Sequence, residues 1–222
     1  MRVGNKESLV PDEIKIELDK LPPIVLNKAK QLLPKTTWHS AVKLQDNGKI
    51  AYELDGSTAK DDDVTLTITA EGKIVEWDVK LSDPTKTPAK VLDAVKKKWP
   101  KFELMESHLL RLGEDLKNRA DGDHLYDLYG TRMKGRNVNA QVSVDGELLE
   151  FVNELSLERV PKAVSDALTA KHPRFTADTV YAISENDTII GYKYEGKGPK
   201  GREKSYYITA DGKHVELVED QD

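Results

Sequence analysis

Three stretches of this chain share one spacing of prolines. Each opens on a proline, carries a valine three residues later and meets a second proline twelve residues after the first: Pro22, Val25, Pro34; Pro88, Val91, Pro100; and Pro161, Val164, Pro173. Two further anchors follow in the same order each time. The first reads Tyr52-Glu53-Leu54-Asp55-Gly56, Tyr126-Asp127-Leu128-Tyr129-Gly130 and Tyr192-Lys193-Tyr194-Glu195-Gly196. The second centres on Glu71-Gly72, Asp145-Gly146 and Asp211-Gly212, with Glu76, Glu150 and Glu216 four residues beyond each glycine. Three ordered anchors in three segments indicate an internal triplication, which fixes the organisation before any single element is considered.

Each segment has a physical reading. The first proline suits the first position of a helix and the second proline stops it. Between them the apolar residues recur at helical spacing: Val25, Ala29, Leu32 and Leu33; Val91, Leu92, Val95 and Trp99; Val164, Ala167 and Leu168. The period then falls to two. Val64, Leu66, Ile68 and Ala70 alternate with Thr65, Thr67 and Thr69, and the acid–glycine pairs are hairpin turns. Earlier strands are expected at about 38–44, 108–112 and 180–184, and the tyrosine anchors form another. The expected fold class is α+β. It comprises three tandem α-β-β-β-β units, antiparallel meander sheets with one helix packed on each. The expected divisions are an N-terminal arm over 1–14 and units over 15–82, 83–156 and 157–222, with an insertion at 113–122. A unit of that size buries only about 60% of its chain surface, so the units should pack side by side.

Composition narrows function by exclusion. The 222 residues include no cysteine, which removes disulfides, thiol catalysis, iron–sulfur clusters and thiolate zinc sites. The formal net charge of −5 argues against nucleic acid as the main partner. No stretch approaches the length of a membrane span. Residues 1–8 lack the apolar run of a signal peptide, which fits a cytoplasmic chain or a mature chain whose signal is gone.

The anchors together resemble those of PepSY-type domains, nearest to the PepSY-like group with the fold of the β-lactamase-inhibitor protein. Leu21-Pro22 or Val160-Pro161, the valine-bearing helix, the tyrosine strand and the hairpin with lysine after its glycine carry the likeness over about 15–220. The middle segment departs from it, having Glu147 where the lysine stands. The resemblance implies a periplasmic or secreted bacterial protein without catalytic activity. It also implies a protein that binds, inhibits or regulates a hydrolase or peptidase.

A search for chemistry agrees with a non-enzyme. His39, His108, His124, His172 and His214 form no metal spacing, and Ser107-His108 project to opposite faces of a strand. The glycines of 191–201 mimic a phosphate loop but precede a strand at Ser205-Tyr206-Tyr207-Ile208, not a helix. Asp121-Gly122-Asp123 starts like a calcium loop, yet Tyr126 and Arg132 occupy its glycine and glutamate positions. Asp61-Asp62-Asp63 reads as a solvated loop. No cofactor, metal site or catalytic residue is expected.

The informative surface is the sheet face away from the helices. With Tyr52, Leu54, Val75 and Trp77 turned to the helix, Glu53, Asp55, Glu76 and Asp78 turn away. The equivalent positions hold Asp127, Tyr129 and Glu150, then Lys193, Glu195 and Glu216. Glu53, Glu76, Asp127, Tyr129, Glu150, Glu195 and Glu216 are therefore the expected partner-binding residues, on a face that prefers a basic protein. The basic loop from Lys197 to Lys204 is the next candidate surface. The alternative reading is a carrier of a small molecule or metal ion, held by acids at the unit boundaries. Trp77 and Phe151 should lie buried beneath the helices.

Overall fold

The computed structural model describes residues 12–46, 48–112 and 124–220. The insertion at 113–122, the Asp121-Gly122-Asp123 motif and all but residues 12–14 of the expected arm lie outside them.

Three ten-residue helices follow the three prolines: α1 (Pro23–Leu32), α2 (Ala89–Lys98) and α3 (Lys162–Lys171). Pro22, Pro88 and Pro161 are not at the first helical position, as the sequence suggested. Each has extended ψ of 135–137° and caps the helix from outside. Its carbonyl accepts the first bond from the valine three residues on, at 2.9, 3.0 and 3.0 Å. Those valines, Val25, Val91 and Val164, are wholly buried, so one spacing sets both the cap and the first core contact.

The strands are β1 (Asp12–Ile16), β2 (Thr37–Asp46), β3 (Lys49–Ser57), β4 (Asp63–Thr69), β5 (Ile74–Lys80), β6 (Glu103–Leu112), β7 (His124–Arg132), β8 (Arg136–Ser143), β9 (Leu148–Leu155), β10 (Thr176–Glu185), β11 (Thr188–Lys197), β12 (Glu203–Thr209) and β13 (Val215–Asp220). Among the described residues they form one 13-stranded sheet whose spatial order is the chain order. The expected division into three separate meander sheets is thereby corrected. β5 pairs with β6 from Glu76↔Leu112 to Lys80↔His108, and β9 pairs with β10 from Glu150↔Glu185 to Leu155↔Val180. Backbone groups that would stand exposed at the edges of separate sheets are used in these ladders. Residues 12–14 of the expected arm begin β1, which pairs with β2.

The chain compacts into two units, Met1–Lys86 with His108–Leu125 and Thr87–Ser107 with Tyr126–Asp222. In the first, α1 covers Leu54, Leu66, Ile68 and Trp77. In the second, α2 covers Val138, Ala140, Val142 and Phe151, while α3 covers Val180, Tyr192, Tyr206 and Ile208. Trp77 and Phe151 are 8% and 4% exposed, as the alternation with acids implied. The indole of Trp99 meets Phe151 edge-on at 5.2 Å, and the Lys98 ammonium stands 4.1 Å from the same ring.

The glycine closing each tyrosine anchor has a steric cause. A Cβ on Gly56, Gly130 or Gly196 would lie 2.5, 2.3 or 2.1 Å from the carbonyl oxygen of Thr37, Glu103 or Thr176. Register shifts beside those oxygens, at Trp38/Ser40 and Ala177/Thr179, show a bulged neighbour leaning over the glycine. The acid–glycine pairs form the expected hairpins, with Gly72, Gly146 and Gly212 at φ of 84, 85 and 72°. A bulge just beyond the first of these hairpins corrects one face assignment. Thr67 pairs with Glu76 but Ile68 with Ile74, so Val75 is extra and turns outward, 42% exposed. On β13 Leu217 is likewise exposed, at 45%.

Candidate functional site

In the first unit the side of the sheet away from α1 is polar and internally bonded. Asp55 accepts from Ser40 at 3.0 Å and from Thr65 at 3.2 Å. Thr67 stands between Glu53 and Glu76 in the ladder. Glu53 is half-buried, Glu76 exposed. Burial first, then the carboxylates of Asp55, Glu13 and Glu76, hold Glu53 above the usual carboxylate range. His108 Nδ1 lies 2.8 Å from Asp78 Oδ2. Ser107 is turned to the opposite side, where the Thr87 hydroxyl donates to it at 2.7 Å, so Ser107-His108 is not a nucleophile–base couple.

The expected solvated loop at Asp61-Asp62-Asp63 is corrected. Asp62 is 9% exposed and accepts from the Ser82 N–H at 2.9 Å, the Ser82 hydroxyl at 2.9 Å and the Thr58 hydroxyl at 3.1 Å. Burial alone would raise its pKa, but these three donors outweigh that and lower it. The loop is held by a carboxylate that has left water.

In the second unit the corresponding side contains a groove of about 250 Å³. Met105, Glu106, Tyr129, Asn139, Val152 and Tyr181 line it. The ladder explains their meeting, since Asn139 pairs with Val152 and Val152 with Ile183. Tyr181 is flanked by Glu154 on β9 and Lys193 on β11. Asp127 lies beside the groove, 7% exposed, with Tyr129 OH donating to Oδ2 at 2.9 Å and Asn139 Nδ2 donating to Oδ1 at 2.7 Å. Met105 and Tyr129 are 61% and 42% exposed at the rim. Burial, then the carboxylates of Glu195 and Glu154, raise the Tyr181 phenol above 10, so it remains a hydrogen-bond donor. Chemically the groove presents rigid rings, a flexible thioether and acceptors.

The expected residues are gathered only in part. Asp127 and Tyr129 meet directly, and Glu53 and Glu76 share one ladder row in the first unit. Within the second unit Glu150 and Glu216 do not form a column. Glu150 is paired with Gln141 and Glu185, whereas Glu216 lies on a row with Tyr207, Lys193, Tyr181 and Glu154. Glu195 is half-buried and pairs with Lys193 at 3.0 Å, and Glu216 is exposed near His214 at 3.5 Å. Met105, Glu106, Asn139, Val152 and Tyr181 were not anticipated. Tyr181 was open to inference, because Val180 and Ala182 beside it are buried and send it to the other side.

Among the described residues no group of three or more His, Asp or Glu side chains is placed to hold a metal ion. No described helix is long and apolar enough to cross a membrane. No protein-family model matches the chain, and no curated protein matches it in sequence. Solved structures with similarity include a DUF2874 family protein from Bacteroides ovatus, at 14% identity and TM-score 0.45 over 61% of this chain and 89% of that one. A BLIP-like protein from Bacteroides fragilis aligns at 17% identity and TM-score 0.38, over 61% of this chain and 85% of that one. A candidate periplasmic protein from Bacteroides eggerthii aligns at 17% identity and TM-score 0.41, over 61% of this chain and 88% of that one.

Proposed function

We propose that this chain is a non-catalytic binding protein whose open sheet side takes a protein partner, centred on the groove of the second unit. The observation that carries the reading is the groove with Met105 and Tyr129, 61% and 42% exposed, beside a carboxylate that is 7% exposed. Aromatic residues and methionine are enriched where proteins meet, and a ring with two side-chain torsions loses little freedom on contact. Glu106, Glu150 and Glu154 lie in or near the same region, so a partner offering Lys or Arg is favoured by charge. The finer reading is an inhibitor or regulator of a secreted hydrolase or peptidase, acting in the periplasm or outside the cell. It follows the resemblance of the anchors to PepSY-like domains.

The test is a panel of purified periplasmic and secreted peptidases and hydrolases, basic and acidic, passed over the immobilised chain. A basic member should bind and lose activity. Tyr129→Ala should raise its dissociation rate by roughly tenfold or more, as expected for a central aromatic contact. Glu150→Lys should slow association and weaken its salt dependence. A partner that binds both variants with unchanged rates would move the interface off this groove.

A further inference from the structure

Where β7 turns into β8, the second unit gathers arginines that have no acid to pair with. Arg132 is the last residue of β7 and Arg136 the first of β8. The turn between them, Met133–Gly135, reverses the chain through Lys134 and Gly135 at φ of 65 and 67°. Alternation from the buried Leu128 and Val138 puts both arginines on the helix side of the sheet. Arg159 closes the 3-10 turn Leu157–Arg159, just beyond the end of β9. β8 and β9 run antiparallel, so that end of β9 lies beside the start of β8.

Arg132 and Arg136 are half-buried and Arg159 is exposed. Arg132 donates from Nη2 to the Glu154 carbonyl oxygen at 2.6 Å, and its Nε is buried without a partner. Among the described residues none of the three arginines forms an ion pair. Lysines elsewhere in the unit have carboxylates: Lys90 meets Asp145 at 3.1 Å, Lys162 meets Asp166 at 2.7 Å and Lys213 meets Asp211 at 3.0 Å. Burial, then the charges of Arg136 and Arg159, lower the Arg132 pKa, and Glu154 opposes them. The Glu154 Oε2 already accepts from the Asn137 N–H at 3.2 Å. Glu158, next to Arg159 in the chain, is exposed and forms no ion pair with it.

Three guanidiniums against the one carboxylate leave two positive charges in excess. A half-buried charge without a counter-ion is costly, and an anion removes that cost. The guanidinium fork matches paired oxygens of a carboxylate or a phosphate. The excess of charge favours the phosphate, which carries about −1.5 to −2 at pH 7.

We propose that Arg136 and Arg159, with Arg132 behind them, bind a phosphate dianion, free or as the monoester of a small molecule. Arg136 and Arg159 supply the donors, and Arg132 supplies a fixed charge. The site is independent of the groove beside Tyr129, so either can fail without the other.

The experiment titrates inorganic phosphate into the full chain at pH 7 and follows arginine Nε–H and backbone amide shifts. Sodium chloride of equal ionic strength is the control. Saturable shifts at Arg136, Arg159 and residues 156–160 are expected with phosphate and not with chloride. Arg159→Gln, at an exposed position, should weaken phosphate about tenfold or more, the worth of one charge-assisted hydrogen bond. Arg159→Lys keeps the charge without the fork and should lose less. Lys96→Gln removes an exposed positive charge from the last turn of α2 and should leave the affinity unchanged. A second arm floats the chain with phosphatidylcholine vesicles, with and without phosphatidic acid, and no flotation is expected. Four results would overturn the proposal: no saturable shift beyond that of chloride, equal phosphate affinity in Arg159→Gln, an equal loss in Lys96→Gln, or flotation with phosphatidic acid, which would assign the group to a lipid.

Discussion

The two units treat the two sides of the sheet differently. Beneath the helices they are alike: a wholly buried valine opens each helix, and Leu54, Leu66, Val138, Ala140, Val180 and Ile208 fill the strands below. On the open side they diverge. The first unit pairs threonines and serines with carboxylates, as in Ser40 and Thr65 on Asp55. The second interrupts that pattern with Tyr129, Val152, Tyr181 and Ile183 on the same side. The difference teaches where selection on residue type relaxes. A helix above the sheet admits only apolar groups that fit, whereas an open side admits whatever stays soluble or serves a contact.

The largest expected effect tests the side that is shared. Trp77→Ala in the first unit and Phe151→Ala in the second should each cost about 3–5 kcal/mol in urea unfolding, since both leave cavities under a helix. A loss below about 1 kcal/mol at one site would break the likeness between the two cores.

Next comes the loop that distinguishes the first unit. Asp62→Ala leaves the Ser82 N–H and two hydroxyls without their acceptor and should cost about 1–3 kcal/mol. Asp62 has a lowered folded pKa. Its contribution is therefore present above its ordinary 3.8 and fades as pH falls through the folded value. The stability gap between wild type and variant should close on acidification, which melting curves from pH 6 to pH 2 would reveal.

Met105→Ser sharpens the comparison from the second unit. The side chain is 61% exposed, so stability should change by no more than about 0.5 kcal/mol, while a partner that uses the groove should bind more weakly.

The last effect, which depends on pH, concerns Glu53. Its folded pKa is raised, so the stability it contributes is present below its ordinary 4.5 and lost as pH rises through the folded value. Glu53→Gln should stabilise the chain at pH 7, by less than about 1 kcal/mol for removal of like-charge contacts within a sheet. The two proteins should converge below about pH 4.5. A destabilised Gln variant at pH 7 would mean that Glu53 serves the first unit as a bonded carboxylate.

Much of the local structure was legible in the residues. Helix positions followed from prolines at fixed offsets, hairpins from acid–glycine pairs, and the buried state of Trp77 and Phe151 from their alternation with acids. What escaped depended on register. Strict alternation sends Val75 inward, and a single extra residue in β5 sends it out. The continuity of the sheet escaped because hydrogen bonding between β5 and β6 involves backbone groups that every residue carries. The site was half legible. Tyr129 and Asp127 were named from one strand, but Asn139, Val152 and Tyr181 reach the groove from three others. Asp62 escaped because three adjacent acids look solvated until Ser82 arrives from 20 residues away.

The order of the strands bears on how the chain acquires its structure. Every strand is hydrogen-bonded to the one next along the sequence. Among the described residues, the hairpin ladders can form as soon as their second strand is available, whereas β1–β2, β5–β6 and β9–β10 close across a helix, with partners such as Asp12↔Gln45, Glu76↔Leu112 and Glu150↔Glu185. The hairpins close short loops at little entropic cost, and the ladders that span a helix cost more. Assembly can then proceed by growth, each new strand finding a template already in place.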